Sequence, residues 1–126
     1  MADESQYKIL IIDDQPFIIK LIQYNLKRAG YITEALTDGL EALRLIDTIA
    51  PDLIILDLRM PTITGTDLCR EFRKKDHLKN IPIIVLTAQV PGEAADEVIA
   101  AGATDFMTKP FSPVELLANV KKYLEV

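Results

Sequence analysis

Polar side chains suited to phosphoryl chemistry stand at the ends of apolar segments in this sequence. Asp57 ends one apolar run, Asp13 and Asp14 follow another, and Thr87 and Lys109 close two more. Carboxylate oxygens are ligands of hard divalent cations, and a carboxylate is also able to attack phosphorus. Hydroxyl and ammonium groups stabilise charge on phosphoryl oxygens. These residue types predict metal-assisted phosphoryl chemistry, provided that the fold brings them together.

The charge of this set predicts a metal. Two carboxylates roughly 6 Å apart repel by about 3 kcal/mol at an effective dielectric constant near 20. Asp13, Asp14 and Asp57 would therefore destabilise a common site unless cations lay among them, and Lys109 supplies a single positive charge. We expect Mg²⁺ as the remaining cation, with Mn²⁺ as a possible substitute, because both prefer oxygen ligands.

Each position also has a structural interpretation. Asp13 and Asp14 stand just before Pro16, where they would cap a helix, and Lys109 would be an ordinary surface residue. Both interpretations stay open for any one position. The coincidence of all the polar groups at strand ends favours a common site.

The elements that must position these residues alternate along the chain between strand-like and helix-like segments. This alternation predicts an α/β fold, a doubly wound five-stranded parallel sheet with five helices, in which strand ends meet at a ligand-binding crevice. Apolar first, third and fourth strands and weaker second and fifth strands favour the order 2-1-3-4-5. The predicted strands span 7–13, 31–36, 52–57, 81–87 and 104–108, and the helices 15–30, 38–50, 65–75, 91–102 and 112–126.

Composition limits the classes of function. The 126 residues predict a single domain over 1–126, with 1–6 as a flexible N-terminal tail. A net charge of −5 without a basic patch argues against direct nucleic-acid binding. The apolar runs are too short to span a membrane, and the polar start is unlike a signal peptide, so we expect a cytoplasmic protein.

Four motifs together resemble the receiver domains of two-component response regulators, and most closely the stand-alone, CheY-like members. The motifs are "ILIIDD", "DLIILDLRMPTITG", "IIVLTA" and "DFMTKPF", and they extend over nearly the whole chain. A lone acid pair or a lone Lys-Pro would carry little weight, whereas the combination is highly specific.

The resemblance implies a role for each residue of the set. Asp57 would accept a phosphoryl group from a sensor histidine kinase or a histidine phosphotransfer protein. Asp13, Asp14 and Asp57, with the backbone carbonyl of Arg59, would hold Mg²⁺. Lys109 would contact the phosphoryl oxygens, and the peptide bond between Lys109 and Pro110 would be cis. The chain would be a signalling switch and not an enzyme, with only self-phosphorylation and self-dephosphorylation.

The resemblance also implies a conformational response. Thr87 would move toward the phosphoryl group and Phe106 would turn inward, which would remodel the surface of the fourth helix, fifth strand and fifth helix. That surface would bind a downstream protein, and the chain would be a monomer or a phosphorylation-dependent dimer. The alternative for Phe106 is a plain core aromatic residue.

Three features are particular to this chain. Arg59 and Gln89 occupy positions that tune phosphoryl lifetime in the family, and the sequence does not predict the direction of their effect. Phe17, Ile18 and Ile19 are more apolar than one buried helix stripe requires. We expect part of this cluster to dock the phosphodonor, with simple core packing as the alternative.

Other classes of function weigh less. A Mg²⁺-dependent phosphohydrolase of the haloacid-dehalogenase type also uses a strand-end aspartate, but its usual second aspartate is replaced here by Arg59. No phosphate-binding "GxxxxGK" or "GxGxxG" pattern supports nucleotide binding. A receiver-fold interaction module that is not phosphorylated is the third alternative. The start at Met1 and the short end after the last helix favour a free-standing regulator.

Overall fold

The computed structural model describes residues 6–88 and 93–125, in which strands and helices alternate as the sequence predicts. The strands are β1 (Lys8–Ile12), β2 (Ile32–Leu36), β3 (Leu53–Asp57), β4 (Ile83–Thr87) and β5 (Asp105–Thr108). The α-helices are α1 (Pro16–Arg28), α2 (Gly39–Ile49), α3 (Gly65–Arg73), α4 (Glu93–Ala100) and α5 (Pro113–Leu124). A short 3₁₀-helix at Asp76–Leu78, which the sequence analysis did not predict, precedes β4.

The five strands form one parallel sheet in the order β2-β1-β3-β4-β5, which confirms the predicted order. All five residues of β3 and all five of β4 are buried, as expected for strands covered on both faces. The edge strands β2 and β5 contain partly exposed residues. The hydrophobic pattern therefore determines which strands lie at the centre.

Alternate residues of the central strands face opposite helix layers. Leu10, Ile12, Ile54 and Leu56 pack in the core cluster that includes residues of α2, α3 and α4. The second core cluster covers the other face of the sheet and includes residues of α1 and α5; its strand members include Ile9, Ile11, Leu53, Ile55, Ile84 and Leu86. The polar residues Asp57 and Thr87, which end β3 and β4, lie at the carboxyl edge and belong to neither core cluster.

Side-chain caps set the start of three helices. Asp38 Oδ1 accepts from the Leu40 backbone N–H at the start of α2, and Thr64 Oγ1 accepts from Asp67 N–H at the start of α3. Ser112 Oγ accepts from Glu115 N–H at 3.0 Å, and Pro113 is the first residue of α5.

Gly65 allows α3 to begin against the end of β3. A Cβ atom at Gly65 would lie 2.6 Å from the carbonyl oxygen of Asp57 and 2.8 Å from Leu58 Cα. Contacts that short to backbone atoms require the backbone to move, so no larger residue fits without displacing the strand end. The Gly65 N–H also donates to the Leu58 carbonyl at 2.7 Å. The helix start thus fixes the segment that follows Asp57.

Arg73 ties the end of α3 to the loops that lead into β4 and β5. Its half-buried guanidinium donates to the carbonyl oxygens of Leu78, Ile81 and Gly102 at 2.6, 2.7 and 2.8 Å. The same group reaches Thr104 Oγ1, which accepts from the Ile83 N–H as well. One half-buried cation therefore holds the amino-terminal ends of two neighbouring strands in place.

Some predictions fall wholly or partly on residues outside the described ranges. Outside them lie Gln89, residues 1–5 of the expected tail over 1–6, residues 91–92 of the predicted fourth helix and residue 126 of the predicted fifth helix.

Candidate functional site

The carboxyl edge of the sheet carries the residues that the sequence analysis singled out. Asp57 is the last residue of β3 and Thr87 the last residue of β4. Asp13 and Asp14 follow β1 directly, and Lys109 follows β5. The Lys109 N–H donates to the Thr87 carbonyl at 2.7 Å, so pairing between β4 and β5 continues to the edge.

Lys109 joins two of the carboxylates. Its Nζ lies 3.1 Å from Asp57 Oδ1 and 3.3 Å from Asp13 Oδ2. The Lys109 side chain is only 15% exposed, so the interpretation of Lys109 as an ordinary surface residue is wrong. The Asp13 side chain has a second contact, because its Oδ1 accepts from the Gln15 N–H at 2.9 Å at the start of α1. Asp13 therefore both supports a helix start and faces the ammonium.

Three carboxylates converge at this edge. Asp13, Asp14 and Asp57 each offer an oxygen within 4.8 Å of the others. Asp13 and Asp57 are buried, whereas Asp14 is exposed. An all-oxygen donor set of this charge fits a hard divalent cation such as Mg²⁺. Within the described part of the chain, these three aspartates are the only group of three or more acidic, histidine or cysteine side chains that lie close enough together to hold a metal ion.

The environment of Asp57 disfavours its charge. Burial raises the pKa of the Asp57 carboxyl, and the charges of Asp13 and Asp14 act in the same direction. Lys109 opposes this rise through its hydrogen bond and its positive charge, without cancelling it. The ionised carboxylate is therefore held at a cost in stability, which an added cation would relieve.

The cleft beside Asp57 is open to solvent and has a volume of about 290 Å³. Ala88 follows Thr87 and is exposed at the rim, where a larger side chain would narrow the entrance. Arg59 is exposed and also lies along the cleft. The lining residues are Asp14, Gln15, Asp57, Leu58, Arg59, Ala88 and Lys109.

The remaining predicted residues take two kinds of position. Thr87 is buried, with 4% of its surface exposed, at the end of β4 beside the cleft. Phe106 is partly buried and packs against the core cluster that includes residues of α2, α3 and α4, away from the cleft lining. The Lys109–Pro110 peptide bond is cis.

Sequence analysis missed Gln15. The Gln15 side-chain Oε1 accepts from Lys109 Nζ at 3.2 Å, across 94 positions of the chain. The sequence did contain one indication: Gln15 directly follows Asp13 and Asp14, so it must lie at the same edge of the sheet as they do. Glutamine is common on solvated helix starts, so its type alone did not indicate a site.

Comparison with known proteins settles the family. The family model of the response regulator receiver domain matches residues 9–121. The chain belongs to the response regulator receiver family. The receiver domain identified from sequence motifs is thus confirmed, and it extends over nearly the whole chain.

Curated relatives are longer than this receiver domain. The alkaline phosphatase synthesis transcriptional regulatory protein PhoP of Bacillus subtilis is 44% identical over 93% of the chain, which spans 48% of that protein. The DNA-binding dual master transcriptional regulator RpaA of Synechocystis is 40% identical over 93% of the chain, again 48% of the relative. The chain thus spans about half the length of these relatives.

Solved structures share the whole fold. A response regulator of Chloroflexus aurantiacus superimposes with a TM-score of 0.91 at 36% identity, covering 96% of this chain and 99% of that one. The chemotaxis response regulator CheY4 of Vibrio cholerae gives 0.90 at 35% identity, covering 94% and 99%. A sensor histidine kinase receiver domain of Pseudomonas aeruginosa gives 0.88 at 29% identity, covering 96% and 99%; that structure has a magnesium ion coordinated in its active site cleft.

None of the described helices combines the length and the apolar character that crossing a bilayer requires.

The raised pKa of Asp57 predicts that Asp57→Asn stabilises the metal-free receiver domain at pH 7. A folded-state pKa above the unfolded value means that ionised Asp57 lowers the free energy of unfolding at neutral pH. An uncharged amide removes that cost. Below about pH 4 the carboxyl is protonated in both states, so the gain from the substitution should shrink as the pH falls.

Urea unfolding in the presence of a chelator, from pH 7 downward, measures this difference. Asp96→Asn on the exposed side of α4 is the matched control and should show little change. A less stable Asp57→Asn at pH 7, or a gain that grows toward low pH, would contradict this account of the Asp57 environment.

Proposed function

We propose that this receiver domain is a phosphorylation switch in which Asp57 accepts a phosphoryl group in the presence of Mg²⁺. The observation that carries the proposal is the position of Asp57. A buried carboxylate ends a fully buried strand, faces an ammonium at 3.1 Å and opens onto a solvent-accessible cleft.

In the proposed reaction an Asp57 carboxylate oxygen attacks phosphorus. The new oxygen–phosphorus bond forms as the bond between phosphorus and the donor histidine nitrogen breaks, and the electron pair of that bond stays on the nitrogen. Asp57 becomes an acyl phosphate. Lys109 keeps its protons and donates hydrogen bonds to the phosphoryl oxygens, and Thr87 supplies a hydroxyl donor.

Asp13, Asp14, Asp57 and the backbone carbonyl of Arg59 would hold the divalent cation, with Mn²⁺ as a substitute for Mg²⁺. When bound, the cation would offset negative charge on the carboxylates and on the phosphoryl oxygens. The oxygen donor set supports this assignment. The chemistry is a self-modification, in which phosphorylation and later hydrolysis occur on the same chain.

The proposed output is a change in the surface formed by α4, β5 and α5. Phe106 lies on β5 opposite Val85 of β4 and is only partly buried, so its side chain has room to turn. Ile99 on α4 and Val114 on α5 are 46% and 78% exposed, which supports protein binding. We propose a downstream protein partner, or a second phosphorylated copy, as the occupant. The names of relatives include a DNA-binding regulator, yet the acidic receiver domain itself is not proposed to contact DNA.

Phosphorylation by a small donor tests the proposal. With acetyl phosphate and Mg²⁺ we expect one phosphoryl group per chain, labile to hydroxylamine as an acyl phosphate, and no adduct on Asp57→Asn. Intact-mass measurement and peptide mapping identify the modified residue. An equal adduct on Asp57→Asn, or none on the wild type, would overturn the proposal; the second result would favour a non-phosphorylated interaction module. Continuous release of phosphate from many monoesters would favour a hydrolase.

Phe17 is the exposed member of the predicted docking cluster. It is 75% exposed, two residues beyond Gln15 of the cleft lining, whereas Ile19 is buried in the core. We propose that Phe17 contacts the protein that carries the phosphohistidine. Phe17→Ala should therefore slow transfer from a phosphorylated sensor histidine kinase by about fivefold or more, the size of a typical interface contact.

Acetyl phosphate brings no partner protein that could contact Phe17. The rate of phosphorylation by acetyl phosphate should therefore be the same in Phe17→Ala and in the wild type. Tyr24→Ala is the matched control, because Tyr24 is a 60% exposed aromatic residue seven positions farther along α1. If Phe17→Ala slowed phosphoryl transfer equally from both donors, or did not slow transfer from the kinase, the proposal that Phe17 is part of the docking surface would be wrong.

A further inference from the structure

In the unphosphorylated protein, every N–H donor of the Lys109 ammonium already has an acceptor. A lysine ammonium has three N–H donors and no acceptor. Three oxygen atoms lie around Lys109 Nζ: Asp57 Oδ1 at 3.1 Å, Gln15 Oε1 at 3.2 Å and Asp13 Oδ2 at 3.3 Å. Each donor thus has one acceptor, and two of these acceptors are carboxylates.

Gln15 is held in the position from which it reaches Lys109. It directly precedes Pro16, the first residue of α1, and its N–H donates to Asp13 Oδ1 at 2.9 Å. The side chain itself is exposed and lies along the cleft. Its backbone is therefore fixed to the acid pair, while its amide is free to move into solvent.

A phosphoryl oxygen that takes a hydrogen bond from Lys109 must displace one of these three acceptors. Hydrogen bonds between an ammonium and a carboxylate are charge-assisted on both sides and stronger than one to a neutral amide. Asp13 is also fully buried, so its release would separate a buried charge from the Lys109 ammonium. The amide of Gln15 is consequently the acceptor whose loss costs least.

We propose that Gln15 is a positioning residue that occupies the third donor of Lys109 in the unphosphorylated state and competes there with the incoming phosphoryl group. This inference rests on the proposed function of Asp57. Gln15 forms no covalent bond and transfers no proton. The amide leaves Lys109 as a phosphoryl oxygen takes its place, and Lys109 stays protonated throughout.

Replacement of the amide tests the competition. Gln15→Met keeps the length of the side chain without a strong acceptor, so phosphorylation by acetyl phosphate at saturating Mg²⁺ should become about threefold faster, as for loss of one competing hydrogen bond. Gln15→Glu keeps the shape and adds a charged acceptor that is harder to displace, so the rate should fall by a similar factor. Gln23→Met on α1 is the control for the same exchange outside the cleft, where Gln23 donates to Thr33.

A second measurement does not depend on phosphorylation. In the metal-free protein, NMR of ¹⁵N-labelled lysine reports how fast the Lys109 ammonium protons exchange with water. Loss of an acceptor in Gln15→Met should speed this exchange, whereas Gln23→Met should leave it unchanged.

The outcomes separate the two proposals. A wild-type protein without an Asp57 adduct would overturn the proposed function, while the exchange measurement would still test the contact between Gln15 and Lys109. A normal wild-type adduct with an unchanged or slower rate in Gln15→Met would overturn the competition alone. Faster transfer together with faster proton exchange in Gln15→Met, and slower transfer in Gln15→Glu, are the results expected.

Discussion

The ion pairs of Lys109 with Asp57 and Asp13 are the interactions on which the arrangement of the site depends. They join residues separated by up to 96 positions and extend from the edge strand β5 across β4 to the ends of β3 and β1. Two buried carboxylates side by side would otherwise repel each other in a medium less polar than water. The parallel sheet makes the pairing geometrically possible, because all its strands end at the same edge.

The hydrophobic core gives this edge its rigidity. β3 is covered on both faces by the two core clusters, and Asp57 is its last residue. Gly65 brings α3 against the Asp57 carbonyl, and Arg73 anchors the opposite ends of β4 and β5. A rigid frame of this kind holds the Asp57 carboxylate in one orientation and keeps its charge in a partly desolvated place. The raised pKa of Asp57 is the energetic consequence.

Much of the fold and the membership of the site followed from the sequence, because both depend on local patterns. The apolar character of each predicted strand predicts whether that strand lies at the centre or at the edge of the sheet. The polar residues at the strand ends predict which side chains lie close together at the carboxyl edge. Contacts between distant polar groups carry no such pattern. The hydrogen bond of Gln15 to Lys109 and the five partners of Arg73 depend on side-chain reach across the folded chain. The resemblance implied that Arg59 affects the phosphoryl lifetime. The exposed position of Arg59 along the cleft is compatible with contact to a bound group, and it does not determine whether Arg59 lengthens or shortens that lifetime.

We propose that the carboxylate cluster needs a second cation besides Lys109. The most direct measurement is the thermal unfolding midpoint of the wild type and of Asp13→Asn as Mg²⁺ is added to chelator-treated protein. A ligand that binds only the native state raises stability with the logarithm of its concentration above the dissociation constant. We predict a rising midpoint for the wild type and little response for Asp13→Asn. A wild type that does not respond to Mg²⁺, or two proteins that respond equally, would contradict the claim.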